Sequence, residues 1–477
     1  MLIAWPASSQ ILGPPDRDFV GPPSPEALDF VGPPSPLPEP PPQIAPQFPV
    51  PNVPLLDQEL EDLLGRANKE YLIPSPETVI KSIFGFVALL ALAAVAGHPR
   101  VGEVERKLRI GHLATTGLPF VLLGLIASQP KVGVLAPGVL LEVAPLLTLG
   151  LGWVGFSIGY RFNAQLMENL PQGAGSVVGL MTGVPFVAVG VAASLLMLFW
   201  EDGAVSGELL RDAAMLGVAG AMTARSSPFL WRDGGLDAED LERMGKIVQL
   251  ERIVGILGLM LVAAYFRPAG ATVAWQLPPT AWLFLTLGIG VAVGGVVYAV
   301  LSTSRSDAES LVLLLGSVSF AAGMAHYLRL SAISVCFLVG IVLANGPGRW
   351  KVAAENVATR LERPLYFLFL LIAGAVWRPD DGRGWALMAL FVLVRLAGKR
   401  FAAGLIARQG DYEHVSKERQ WLTYAPAGAI SIAVVISAQN LYGGPRISWI
   451  VTAVIVGSIL NEILLQALMR RRRAEAA

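Results

Sequence analysis

The run SVVGLMTGVPFVAVGVAASLLMLFW, residues 176–200, contains no charged side chain. A helix needs about 20 mostly apolar residues to cross the hydrocarbon core of a bilayer, and this run supplies them. Similar runs follow one another from Pro76 almost to the C-terminus. Only 15% of the 477 residues are charged, against about 25% in an ordinary soluble protein. The chain therefore reads as an all-α polytopic membrane protein.

About thirteen spans are predicted, near 78–97, 110–128, 138–161, 173–199, 208–231, 244–266, 280–302, 308–328, 331–346, 364–377, 384–405, 420–439 and 447–469. Lys and Arg set the orientation, because cytoplasmic loops carry the excess of them. With Arg470 to Arg473 in the cytoplasm, the basic segments 98–109, 232–246, 346–363 and 398–419 also fall inside. An odd number of spans then puts the N-terminus outside. Residues 1–54 form a proline-rich tail in which DFVGPPSP occurs twice, at 18–25 and 29–36. Proline fixes φ and lacks a donor, so the tail is expected to be extended and partly disordered, a linker or a docking segment for an unknown partner. Residues 55–75 read as a short amphipathic helix and linker, and 471–477 as a short basic tail.

The composition also excludes several functions. The formal net charge is zero, so nothing points to nucleic acid. Cys336 is the single cysteine, which rules out an intramolecular disulfide and a cysteine-based zinc site. The four histidines lack ligand spacing, and His326 reads as interfacial. No phosphate-cradling loop and no nucleophile beside a base is found. Neither an enzyme nor a cofactor is expected.

Two spans are interrupted. GAMTARSSPFLW (220–231) carries Pro228, which removes a backbone donor and disfavours helical geometry at Ser227. Thr223, Ser226 and Ser227 offer hydroxyls that can replace lost backbone partners or bind an ion, and Arg225 can cap carbonyls there. YAPAGAISIA (424–433) carries a second weak point at Pro426 and Gly428. Unwound backbone at membrane depth is tolerated where it is buried in protein or lines a cavity. A pair of broken helices in corresponding halves points to a transporter's binding site.

Two spans carry charges. IVQLERIVGILGLM (247–260) holds Glu251 and Arg252 side by side. LFVLVRLAGKRFAAG (390–404) holds Arg395 near its middle, and Lys399 one turn nearer the cytoplasm. An intramembrane charge costs at least about 2.5 kcal/mol, so it faces the protein interior and finds a partner. Glu251 with Arg395 is the expected pair. Arg252 points about 100° away from Glu251 and needs another partner or a cavity. A span that began later would instead leave Glu251 and Arg252 to snorkel at the interface, and Lys399 could do the same.

Taken in order, these stretches resemble the monovalent cation/proton antiporter superfamily over about residues 78–470. LLTLGLGWVGFSIGYRFN (146–163) is similar to the family's third helix, MTARSSP to its first break, and YAPAGAISIA to its second. VSFAAGMAHYLRLSAISVCFLVGIVLANG (318–346) resembles a characteristic segment of the second half, and RLAGK the basic residue and glycine facing the ion site. The resemblance implies two inverted six-helix repeats with two broken helices that cross. It implies a moving core (about 173–266 and 384–469) and a dimerising scaffold (about 78–161 and 308–377), in a prokaryotic cytoplasmic membrane.

The sixth helix departs from the family pattern. There the family carries Asp-Asp, Asn-Asp or Gln-Asp, and the second residue is the carboxylate that exchanges a cation for protons. LERIVGIL puts Glu251 at the first position and Arg252 at the second. An arginine does not release its proton in a protein. Three readings remain open. Glu251 is the exchanging carboxylate, shifted by one residue, for sodium or potassium against protons. Arg252 replaces the ion and transport is lost or repurposed. Or the excess of Arg225, Arg252 and Arg395 over Glu251 serves an anion.

Overall fold

Wherever the structure describes an apolar run of the sequence, that run is helical. The computed structural model describes residues 117–476 apart from 225–237, 268–276, 409–421 and a few isolated positions, together with Phe84, Gly85, Val87 and Ala91. The proline-rich tail, residues 55–75 and nearly all of the first expected span lie outside the described residues. So do Arg225, Ser226, Ser227 and Pro228.

Every regular element among the described residues is a helix. They are α1 (Leu118–Ala127), α2 (Pro137–Tyr160), the short α3 (Ala164–Glu168), α4 (Ala174–Trp200), α5 (Gly207–Ala221), α6 (Ala238–Tyr265) and α7 (Pro279–Leu301). After them come α8 (Asp307–Tyr327), α9 (Ala332–Asn345), α10 (Trp350–Val376), α11 (Gly382–Ile406), α12 (Ala429–Leu441) and α13 (Pro445–Ala476). Side chains begin several of these helices. Ser206, Ser306, Ser331 and Asp381 accept hydrogen bonds from first-turn backbone N–H groups of α5, α8, α9 and α11, which would otherwise lack partners.

Six of the helices are long and apolar enough to cross a membrane, and α9 and α12 are shorter apolar helices. On α4, Val187, Val191, Leu195 and Phe199 recur every fourth residue and all stand exposed. That spacing makes a continuous apolar stripe down one helix face, which fits lipid and not water. The chain is an all-α polytopic integral membrane protein.

Packing sorts the helices into two sets. In the first, α2 lies against α8, α9 and α10, α1 against α10, and α7 across α9. In the second, α4 lies against α5 and α11, α11 against α13, and α12 against α5 and α13. Helices α6 and α12 touch members of both sets.

Three boundaries differ most from the sequence expectation. The fifth span was expected to run to residue 231 around a break at Pro228, but α5 ends at Ala221, Met222 is extended and residues 222–224 are not helical. The tenth was expected to begin near 364, but α10 begins at Trp350. Its first turns are rich in Ala, Glu, Lys and Arg, which are strong helix formers, and Arg161 Nη2 holds Glu362 Oε2 at 2.6 Å. The last span continues through the basic tail to Ala476.

Candidate ion site at the helix crossing

The two non-helical stretches meet. Residues 222–224 follow α5, and residues 425–428 precede α12, with Leu422 and Tyr424 helical just before them. The backbone N–H of Ala224 donates to Pro426 O at 2.9 Å, and Thr223 Oγ1 donates to Tyr424 O at 3.1 Å. A Cβ on Gly428 would come within 2.8 Å of Ala224 Cα, so only glycine lets the two segments approach this closely. Ser431 Oγ ties α12 to Ala219 O at 2.9 Å.

Interrupting a helix strands carbonyl oxygens, and buried carbonyls need donors. Arg395, on α11 and 1% exposed, supplies them. Its Nε donates to Gly220 O at 2.9 Å and its Nη2 to Met222 O at 2.6 Å and Pro426 O at 3.3 Å. Its Nη1 donates to Ala425 O. Asn461 Nδ2 of α13 also donates to Ala425 O, at 2.7 Å. The guanidinium therefore fastens both breaks together.

Lys399 lies one helical turn from Arg395 and on the same face. It is fully buried. Its Nζ is 3.0 Å from Ala221 O, 3.1 Å from Thr223 Oγ1 and 3.1 Å from Glu251 Oε1. Glu251 on α6 is fully buried too. Its Oε2 is enclosed and has no hydrogen-bond partner among the described residues.

The ion pair of Glu251 is thus with Lys399 and not, as expected, with Arg395. The stranded carbonyls take the guanidinium, which leaves the next cation on that face for the carboxylate. Arg252 is 5% exposed, and its Nε lies 3.5 Å from Thr223 O, so both members of the adjacent pair are buried in the protein. Glu251, Arg252, Arg395, Lys399 and Thr223 come together around the crossing of Pro426 and Gly428.

Sequence reasoning missed Asn461 and Glu462, which are 2% and 1% exposed on α13. A carboxylate inside an apolar span was the available signal, the same one that singled out Glu251.

The end of α5 and the interruption before α12 meet inside an apolar bundle with charges buried beside them, an arrangement that makes an antiporter-like fold. The solved structures agree. The chain is similar to the sodium proton antiporter MjNhaP1 from Methanocaldococcus jannaschii at pH 8, with 14% identity and a TM-score of 0.55 over 81% of this chain and 97% of that one. It is similar to an electron-microscopy structure of the same antiporter with 15% identity and a TM-score of 0.54, over 82% of this chain and 96% of that one. At these identities the likeness is one of fold. No protein-family model matches the sequence, and no curated protein matches it.

Proposed function

We propose that this protein exchanges a monovalent cation, sodium or potassium, for protons across a prokaryotic cytoplasmic membrane. In this reading α4–α6 and α11–α13 form a core that moves against a dimerising scaffold of α1, α2 and α8–α10. The observation that carries the proposal is the pair of Glu251 Oε1 and Lys399 Nζ, 3.1 Å apart and fully buried at the crossing. The fold neighbours named above are sodium proton antiporters, which agrees with it.

A buried ion pair adds little net stability, because desolvation offsets most of its attraction. It can instead be exchanged. The Lys399 ammonium sits where a metal cation would meet Glu251, with Thr223 Oγ1 and Ala221 O as further oxygens. An entering cation takes the carboxylate, and Lys399 leaves it as a neutral amine by releasing one proton. A lysine can do this when buried, whereas an arginine keeps its proton. Arg395 stays on its four carbonyls as a fixed counter-charge. When the cation departs on the other side, a proton returns to the pair.

The anion reading is weakened because Arg395 gives its N–H groups to backbone oxygens. In the remaining reading Arg252, beside Thr223 O, stands in for the ion and blocks exchange. A flux panel in reconstituted vesicles, with sodium, potassium and chloride gradients and a pH reporter, separates the three. Cation-dependent proton flux that Glu251→Gln cuts by about 100-fold is expected. No flux with any ion would support the blocked reading, and chloride-coupled flux the anion reading.

A further inference from the structure

A small cavity lies away from the crossing, between the end of α6, the start of α7 and the turn joining α8 to α9. Arg267, Trp282, Thr286, Arg329, Ser331 and Ser334 are among its lining residues, and no carboxylate is found among the described residues that line it. Its free volume is about 10 Å³, about enough for one particle of the size of a water.

Three independent features favour a negative charge there. The first is the two guanidinium groups in the lining. Arg267 is held with its Cζ 3.2 Å above the Trp282 ring. Arg329 has φ 55°. It occupies the left-handed position just past the end of α8, where Leu330 N closes back on Ala325 O at 2.8 Å. Glycine is favoured at such a position, and arginine is kept there instead.

The second feature is the N-terminus of α9, whose first-turn N–H groups present partial positive charge. Ser331 caps it by accepting from Ser334 N at 3.3 Å. The third is Ser334 Oγ, which is fully buried, lines the cavity and has no hydrogen-bond partner among the described residues. A buried hydroxyl is costly to leave without a partner.

We infer that this cavity binds a single halide ion, chloride in the cell, between Arg267, Arg329, Ser334 Oγ and the start of α9. Its small free volume favours a monatomic anion over phosphate or sulfate. The cavity is shared by α6, of the proposed core, and by α7 and α9. Ser331 Oγ also lies 3.2 Å from Ser437 Oγ of α12. On the core-and-scaffold reading given above, the bound halide braces the two against each other and slows exchange.

Binding is tested apart from transport. The purified full-length protein is melted in sodium chloride, sodium bromide, sodium gluconate and sodium phosphate at matched sodium and ionic strength. A saturable rise in melting temperature with chloride and bromide, absent with gluconate, is expected. Arg329→Gln abolishes it, and Ser334→Ala weakens the apparent affinity by about tenfold, the worth of one charge-assisted hydrogen bond. Equal melting in chloride and gluconate overturns the inference, and so does stabilisation by phosphate alone or a halide effect undiminished in both variants.

Should Arg329→Gln fail to fold, bromide located by anomalous scattering in wild-type crystals decides. A peak beside Ser334 supports the site, and its absence overturns it. In vesicles, external chloride is expected to slow cation–proton exchange relative to gluconate. If there is no exchange to slow, the proposed function fails while the binding result stands.

Discussion

Helices α2 and α9 are joined by a glycine seam without charged side chains, whereas the stretches that follow α5 and precede α12 are held by buried charged side chains as well as by backbone contact. In the first region a Cβ on Gly155 would stand 2.1 Å from Ile333 O, and one on Gly159 would stand 2.0 Å from Phe337 O. Gly340 answers from α9, where a Cβ would lie 2.5 Å from Phe156 O, and Gly124 and Gly374 seal α1 to α10 in the same way. Small residues let membrane helices approach this closely, and dispersion then holds them. At the crossing, Arg395, Lys399 and Asn461 hold polypeptide that has left helical geometry. A glycine seam is one fixed packing. A set of hydrogen bonds around a cation can be traded for another set, and an alternating-access site needs that property.

Substitutions can break this comparison at either end. The largest effect is expected from Arg395→Met, which takes the guanidinium donors from the buried carbonyls of Gly220 and Met222 and leaves those of Ala425 and Pro426 with one donor each. A loss of at least about 3 kcal/mol in stability follows, read as lower melting temperature and reduced monodispersity in detergent. Unchanged melting would mean that the crossing does not depend on the guanidinium.

Glu251→Gln is next, with exchange in vesicles down by about 100-fold, or about 2.7 kcal/mol. Lys399→Arg sharpens the same point. It preserves a positive charge beside Glu251 but not the ability to give up a proton, so flux should fall by a similar amount while melting changes little. Flux that survives Lys399→Arg would move the proton to Glu251 alone.

On the sealed side, Gly155→Val should cost about 1–3 kcal/mol by overpacking, visible in the melting curve. The smallest change serves as its control. Gly179 on α4 has open space where a Cβ would go, so Gly179→Ala should raise stability by about 0.5–1 kcal/mol through helix propensity. Equal destabilisation by both glycine variants would dissolve the distinction between the seam and the rest.

Much of this architecture was legible from hydropathy alone. Apolar length marked the helices, and Pro426 with Gly428 marked one of the two non-helical stretches. The other escaped. Met222, Thr223 and Ala224 carry no stop signal, and α5 ends there because partners elsewhere in the chain take its last carbonyls. Gly220 O goes to Arg395, Ala221 O to Lys399 and Met222 O to Arg395 again. Ala224 N, freed from the helix, finds Pro426 O.

The identity of the ion pair escaped for a related reason. Arg395 and Lys399 share one helical face by their spacing, so periodicity offered both to Glu251. Which one reaches it depends on the height of α6 relative to α11, and no local pattern encodes that height.

By itself, the sequence determined that this chain lives in a bilayer as interrupted helices and that charges are buried inside them, because lipid tolerates neither an unpaired backbone nor a solitary charge. Only the tertiary structure decided how those charges are assigned. The guanidinium goes to the carbonyls left at the end of α5 and at the break before α12, and the ammonium goes to the carboxylate. Hydrogen-bond partners more than a hundred residues apart are matched by packing geometry, to which the order of residues along one helix is blind.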